Sequence, residues 1–166
     1  GSWTSSNTAL ATIGSSSPIV SGVAAGIPTI TYTLPTGCFV TTPFTVNPTP
    51  GAISGFNNVC TGSTITLVNG TTGGTWSSTN TTAATVGSLT GVVSGSAAGV
   101  TNIVYTLAAG GCNTLFPVTV NATPANITGT FTVCAGLTTS LASTTTGGTW
   151  SSSNTTIATV SSTGVV

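Results

Sequence analysis

Four thiols carry most of the reactive chemistry available to this chain: Cys38, Cys60, Cys112 and Cys134. Cys38 to Cys60 is a step of 22 residues, and Cys112 to Cys134 is again 22. Thiols can pair as disulfides or together hold a metal. Structural zinc sites use closely spaced pairs of the C-x2–4-C kind, which are absent, so disulfides are the better expectation. Four cysteines allow three pairings, and spacing alone leaves all three open.

Little else in the 166 residues can react. Lys, Arg, Asp, Glu, His, Gln and Met are all missing, and the formal net charge is +0. General acid–base catalysis needs a group that titrates near working pH. The many Ser and Thr hydroxyls lack an adjacent base that would make them nucleophiles. Calcium sites depend on carboxylates, and phosphate or nucleic-acid binding depends on Lys and Arg. The composition therefore predicts no enzyme, no cofactor, no metal and no nucleic-acid partner. Asn69, Asn80, Asn121, Asn126 and Asn154 each begin an Asn-x-Ser/Thr sequon. Such matches arise by chance in a Thr-rich chain and carry little weight.

Three tryptophans mark the organisation. Trp3, Trp76 and Trp150 lie 73 and 74 residues apart, in Gly1-Ser2-Trp3-Thr4-Ser5, Gly74-Thr75-Trp76-Ser77-Ser78 and Gly148-Thr149-Trp150-Ser151-Ser152. Tyr32 and Tyr105, Thr45-Val46-Asn47 and Thr119-Val120-Asn121, and Ala24-Ala25-Gly26 and Ala97-Ala98-Gly99 keep the same register. A fixed period of this length is the mark of a repeat architecture. The chain thus divides into residues 1–47, the C-terminal part of one repeat; 48–121, a complete repeat; and 122–166, the N-terminal part of a third. Segments 122–147 and 1–47 together hold 73 residues, one full unit. Residues 148–166 then duplicate the pattern of residues 1–20.

The elements that must position these residues read as strands. Thr29–Leu34, Thr64–Leu67 and Phe44–Val46 alternate with period two and are rich in β-branched and aromatic residues. Asn69-Gly70, Gly73-Gly74, Pro35-Thr36-Gly37 and Gly110-Gly111 supply turns. Strands about ten residues apart, with no helical period, predict an all-β sandwich in each unit. Pro48, Pro50 and Pro124 stiffen the joints, which favours a rod or filament of units end to end. The chain is 39% hydrophobic, against the low hydrophobicity of disordered segments. No apolar run approaches the roughly 18 residues of a transmembrane helix. Trp3, Trp76, Trp150, Tyr32 and Tyr105 recur in register on strands and are expected in the core, each polar tip finding a partner.

The stretch Gly148-Thr149-Trp150-Ser151-Ser152-Ser153-Asn154-Thr155-Thr156-Ile157-Ala158-Thr159-Val160, ending Thr163-Gly164-Val165-Val166, resembles the signature of bacterial Ig-like group 2 domains. The continuation stands in the first copy as Val20-Ser21-Gly22-Val23-Ala24-Ala25-Gly26. The resemblance implies tandem Ig-like sandwiches at a bacterial cell surface or in a secreted protein. That family includes intimin- and invasin-like adhesins and also supplies stalks. The absence of charge departs from its pattern and leaves no carboxylate for calcium. In such a sandwich the first turn (Cys60, Cys134) and the last hairpin (Cys38, Cys112) lie at opposite ends. The disulfides are therefore expected across repeat junctions or between chains.

Two arrangements fit the partial repeats: a stretch of a longer tandem array, or subunits that complement one another by strand donation, with Cys60 joined to a neighbour's Cys38 and Cys112 to a neighbour's Cys134. The expected function is a structural segment of an extracellular filament or surface stalk whose partner is itself. The alternative is an adhesin or a glycan-binding module.

Overall fold

The computed structural model describes all 166 residues and contains strands, turns and no helix. It divides into two compact units, Gly1–Asn121 and Ala122–Val166.

The first unit begins with β1 (Ser2–Ser5), β2 (Ala11–Ile13), β3 (Val20–Gly22), β4 (Thr29–Thr33) and β5 (Phe39–Pro43). These form an antiparallel sheet in the order β1-β4-β5 and a separate β2-β3 pair. Register is set by the alternation of the sequence. Trp3 faces Tyr32 across β1 and β4, with Thr4 opposite Thr31, so aromatic and hydroxyl side chains fall on opposite faces.

The same unit continues with β6 (Ile53–Ser54), β7 (Asn58–Cys60), β8 (Thr64–Thr66), β9 (Val68–Asn69), β10 (Gly74–Ser78), β11 (Ala84–Val86), β12 (Val92–Gly95), β13 (Gly99–Leu107) and β14 (Asn113–Asn121). They form sheets in the orders β10-β13-β14-β7 and β11-β12-β8, with β6 and β9 as a third pair. All neighbours are antiparallel except β7, which runs parallel to β14. Along β13, Thr101, Ile103, Tyr105 and Leu107 are buried while Asn102 is exposed, the period of two expected of a strand with one face in a core. Val118 and Val120 of β14, Val59 of β7, Val93 of β12, Ala84 of β11 and Trp76 of β10 close that core. Residues 48–121 thus enclose a core between a four-stranded and a three-stranded sheet, with the β6–β9 pair beside them.

The Phe44–Val46 strand expected from alternation does not form. β5 stops at Pro43; beyond it Phe44 donates its N–H to the Pro28 carbonyl at 2.8 Å, and Val46 forms a single bridge to Gly26. The equivalent β14 runs on to Asn121 through Pro117, paired with β13 as far as Val120 and with β7 over its last three residues. In residues 1–47 Pro28 stands where Thr101 stands in β13, and it has no N–H to give the ladder, so the pairing breaks between Thr29 and Gly26. Here cross-strand pairing, rather than local propensity, decides how long a strand is.

The second unit carries β15 (Thr128–Gly129) paired with β16 (Leu141–Ala142), and an isolated bridge from Ser140 to Val165. That bridge repeats the β8–β12 pairing of Thr66 with Val92, one period earlier.

Candidate functional site

The best-ordered chemistry in the chain is an aromatic clasp. Trp76 and Tyr105 face each other across β10 and β13, with ring centroids 4.7 Å apart and planes tilted by 54°. Edge-to-face and tilted pairs at this distance add to the gain from burial alone. The Tyr105 hydroxyl donates to the Thr71 carbonyl at 2.7 Å and accepts from the Gly74 N–H at 2.9 Å. The same rings meet in the first block, where Trp3 and Tyr32 lie 4.5 Å apart with planes tilted by 40°.

Gly91 seals the clasp from behind. Its φ is +69°, and a Cβ there would run into the Leu67 carbonyl and come within 3.1 Å of the Trp76 ring. Gly164, at φ +86°, stands in the same relation to Leu141 and Trp150. The Trp–Gly arrangement therefore forms in residues 122–166 although no strand pairs with the Trp150 segment.

A second polar cluster was not foreseen from the sequence. Thr101 is the one buried polar side chain of the core. Its Oγ1 meets Ser78 Oγ at 2.8 Å and accepts from the Asn80 N–H at 3.0 Å. Thr79 Oγ1 accepts from the Asn102 N–H at 3.0 Å. The visible signal was Ser-x-Asn, which recurs as Ser5-Ser6-Asn7 and Ser152-Ser153-Asn154. In all three copies the Asn N–H lies 3.3 Å from the Ser hydroxyl, and the Asn carbonyl accepts the N–H groups that start the next turn. Ser and Asn make such local bonds readily. Every buried side-chain N or O atom has a partner.

Two of the five expected core aromatics, Trp76 and Tyr105, are buried. Trp3, Tyr32 and Trp150 are only half-buried, because the strands that cover them in residues 48–121 have no counterpart in their own blocks.

The expected disulfides, across repeat junctions or between chains, do not form within this chain. Cys38, Cys60, Cys112 and Cys134 are all free thiols, and no disulfide joins two positions within the chain. For Cys60 and Cys112 the reason is geometric. Cys60 is the Cα partner of Asn121 at the end of β14, and Cys112 immediately precedes the start of that nine-residue strand. About 3.3 Å per residue separates them by several times the reach of a disulfide.

An open groove of about 340 Å³ runs beside Trp76, bordered by Leu67, Thr72, Leu89 and Tyr105. A sugar-stacking site needs an exposed ring face, and Trp76 is buried with its ring against Tyr105 and Gly91. No group of three His, Cys, Asp or Glu side chains comes together. No helix is long and apolar enough to cross a membrane.

Neither a family model nor a curated protein matches this chain. Among solved structures it is similar to the crystal structure of the S-layer protein SbsC domains 4 and 5, at 21% identity over 72% of this chain and 69% of that one, with a TM-score of 0.29. It is also similar to the structure of surface layer protein SbsC, domains 1–6, at 19% identity over 86% of this chain and 22% of that one, with a TM-score of 0.31.

Proposed function

We propose that the chain is a structural segment of an extracellular bacterial filament or surface stalk, built from stacked, charge-free repeats of the bacterial Ig-like group 2 type. One observation carries this reading. The side chains that recur in register are engaged in holding the fold: Trp76 and Tyr105 on each other, and Ser78 and Asn80 on the turn. Trp76 and Tyr105 border the open groove, but their rings pack on each other and the Tyr105 hydroxyl is taken up by backbone, which leaves no reacting set facing it. A surface without charge also lets neighbouring molecules approach without repulsion, since net charge is what ordinarily keeps proteins soluble and apart. Tandem units that bury little surface alone gain from such neighbours.

Negative-stain electron microscopy of the purified chain at rising concentration tests this reading. Extended rods or fibres are the expected result. Discrete compact particles at every concentration, together with saturable binding to a defined glycan on an array, would replace it with the adhesin reading.

A further inference from the structure

We infer that the outer edge of β14 over residues 113–116 is a docking edge for the same edge of a second copy of this chain, the two strands pairing antiparallel about a two-fold axis. In an antiparallel ladder, residues that exchange hydrogen bonds with the neighbouring strand alternate with residues whose N–H and carbonyl point away from it. Leu107 donates its N–H to the Cys112 carbonyl at 2.9 Å, so in the register of β13 with β14 the outward residues of β14 are Asn113, Leu115, Pro117, Thr119 and Asn121. The last two are taken up by the segment around β7. Thr119 donates its N–H to the Asn57 carbonyl, and the Asn121 carbonyl accepts from the Thr61 N–H, both at 2.8 Å. β7 pairs with Thr119, Val120 and Asn121 and reaches no further. The N–H and carbonyl of Asn113 and of Leu115 have no partner.

The opening belongs to the strand pattern itself. It stands in residues 48–121, where two sheets enclose the core, and residues 1–47 before them add no strand to it. The same edge is open in residues 1–47, although residues 48–121 follow. There Leu34 donates its N–H to the Cys38 carbonyl at 2.8 Å, which turns Phe39, Thr41 and Pro43 of β5 outward, and no strand pairs with that side. Neither the residues that precede the edge nor those that follow it in the pattern cover it. A proline ends it in both places: Pro117 and Pro43 hold an outward position and have no N–H to offer. The edge is also apolar, with Leu115 56% exposed and Phe39 71% exposed.

A second copy is the partner these groups fit. With Asn113 opposite the partner's Leu115, and Leu115 opposite the partner's Asn113, each N–H meets the carbonyl across from it. Four hydrogen bonds form and no outward N–H is left over. This register centres on Thr114 and keeps clear of Pro117. A patch that complements itself closes a two-fold pair. The two four-stranded sheets then run on as one, with the two Leu115 side chains diagonal on the same face, about 7–8 Å apart and within reach of each other. Protein edges are ordinarily guarded by charge, above all by Lys. This chain has none. Two copies therefore meet with no like charges opposed, whereas an acidic or basic peptide finds no counter-charge here. β5 carries the same edge, so each chain offers two. The inference rests on the structural role proposed above and names the contact through which copies join.

Lysine at the outward positions tests the edge. The double variant Thr41→Lys/Leu115→Lys is compared with a control, Leu89→Lys/Val100→Lys, which adds the same charge at exposed sites away from both edges. Thr41 and Leu115 are exposed, and their backbone groups take no part in the β4–β5 or β13–β14 bonds, so the edge variant folds as the parent does. Sedimentation equilibrium of the parent chain should show a mass above the monomer that rises with concentration. The edge variant should associate at least about tenfold more weakly, because pairing would bring like charges together. The control should stay within about twofold of the parent at about 0.15 M salt, where its added charges are screened. Site-resolved amide exchange of the parent chain gives a second reading. The Asn113 and Leu115 amides should exchange fast in dilute solution and slow as concentration rises, while the Thr114 amide, bonded to β13, stays protected throughout. Equal association of the edge variant and the control, or association that leaves the Asn113 and Leu115 amides fast, overturns the docking edge and leaves the structural role standing. A chain that stays monomeric at every concentration overturns both.

Discussion

Tyr105 joins two kinds of interaction at one position. Its ring packs on Trp76, and its hydroxyl bridges the Thr71 carbonyl and the Gly74 N–H. Tyr105→Phe keeps the ring and removes both hydrogen bonds, leaving partly buried backbone groups unpaired. We expect a loss of about 1–3 kcal/mol, read from the midpoint of urea unfolding. Trp76→Ala removes the largest side chain of the core and should cost about 3–5 kcal/mol. Trp3→Ala should cost clearly less, because Trp3 stays half-buried in a block that lacks its covering strands. Equal losses for the two tryptophans would mean that the front block is already closed. No side chain in the sequence separates Trp3 from Trp76. The difference lies in which strands are present to cover the ring.

At the scale of the element, the second and third copies place a glycine, Gly91 and Gly164, where the chain crosses the back of the Trp strand, and the first copy has Pro18 there. Gly91→Ala combines a left-handed φ of +69° with a collision against the Leu67 carbonyl and the Trp76 ring. For a residue with a Cβ the left-handed region alone costs about 1–2 kcal/mol, so the total should exceed about 2 kcal/mol. Gly62→Ala, at φ +81° with open space around it, should cost only the backbone part. Thermal unfolding of the two variants separates strain from crowding. The alternating strands Thr29–Thr33 and Thr64–Thr66 were legible because period two is written into the sequence. The end of β5 was not, because it depends on a partner strand distant in sequence. The parallel pairing of β7 with β14 was hidden for the same reason. So was the burial of Thr101, whose partners Ser78 and Asn80 lie more than twenty residues away and identify it only once β10 and β13 are aligned.

For the whole molecule, the decisive fact is the absence of charge. With no Asp, Glu or His, neither the folded nor the unfolded chain changes its proton count appreciably between about pH 5 and pH 7. The pH slope of stability is set by the difference in bound protons, and here both counts are constant, so stability should be flat across that window. Salt has no side-chain charges to screen. What holds the chain together is apolar burial and neutral hydrogen bonding, and the proposed assembly of copies would rest on the same two terms. Static light scattering at several protein concentrations, in sodium chloride from about 10 mM to about 1 M, where the screening length falls from roughly 30 Å to roughly 3 Å, tests this most directly. The account predicts a mass above that of the monomer, rising with protein concentration and unchanged by salt. A chain that stays monomeric throughout, or an assembly that dissociates as salt rises, would contradict it.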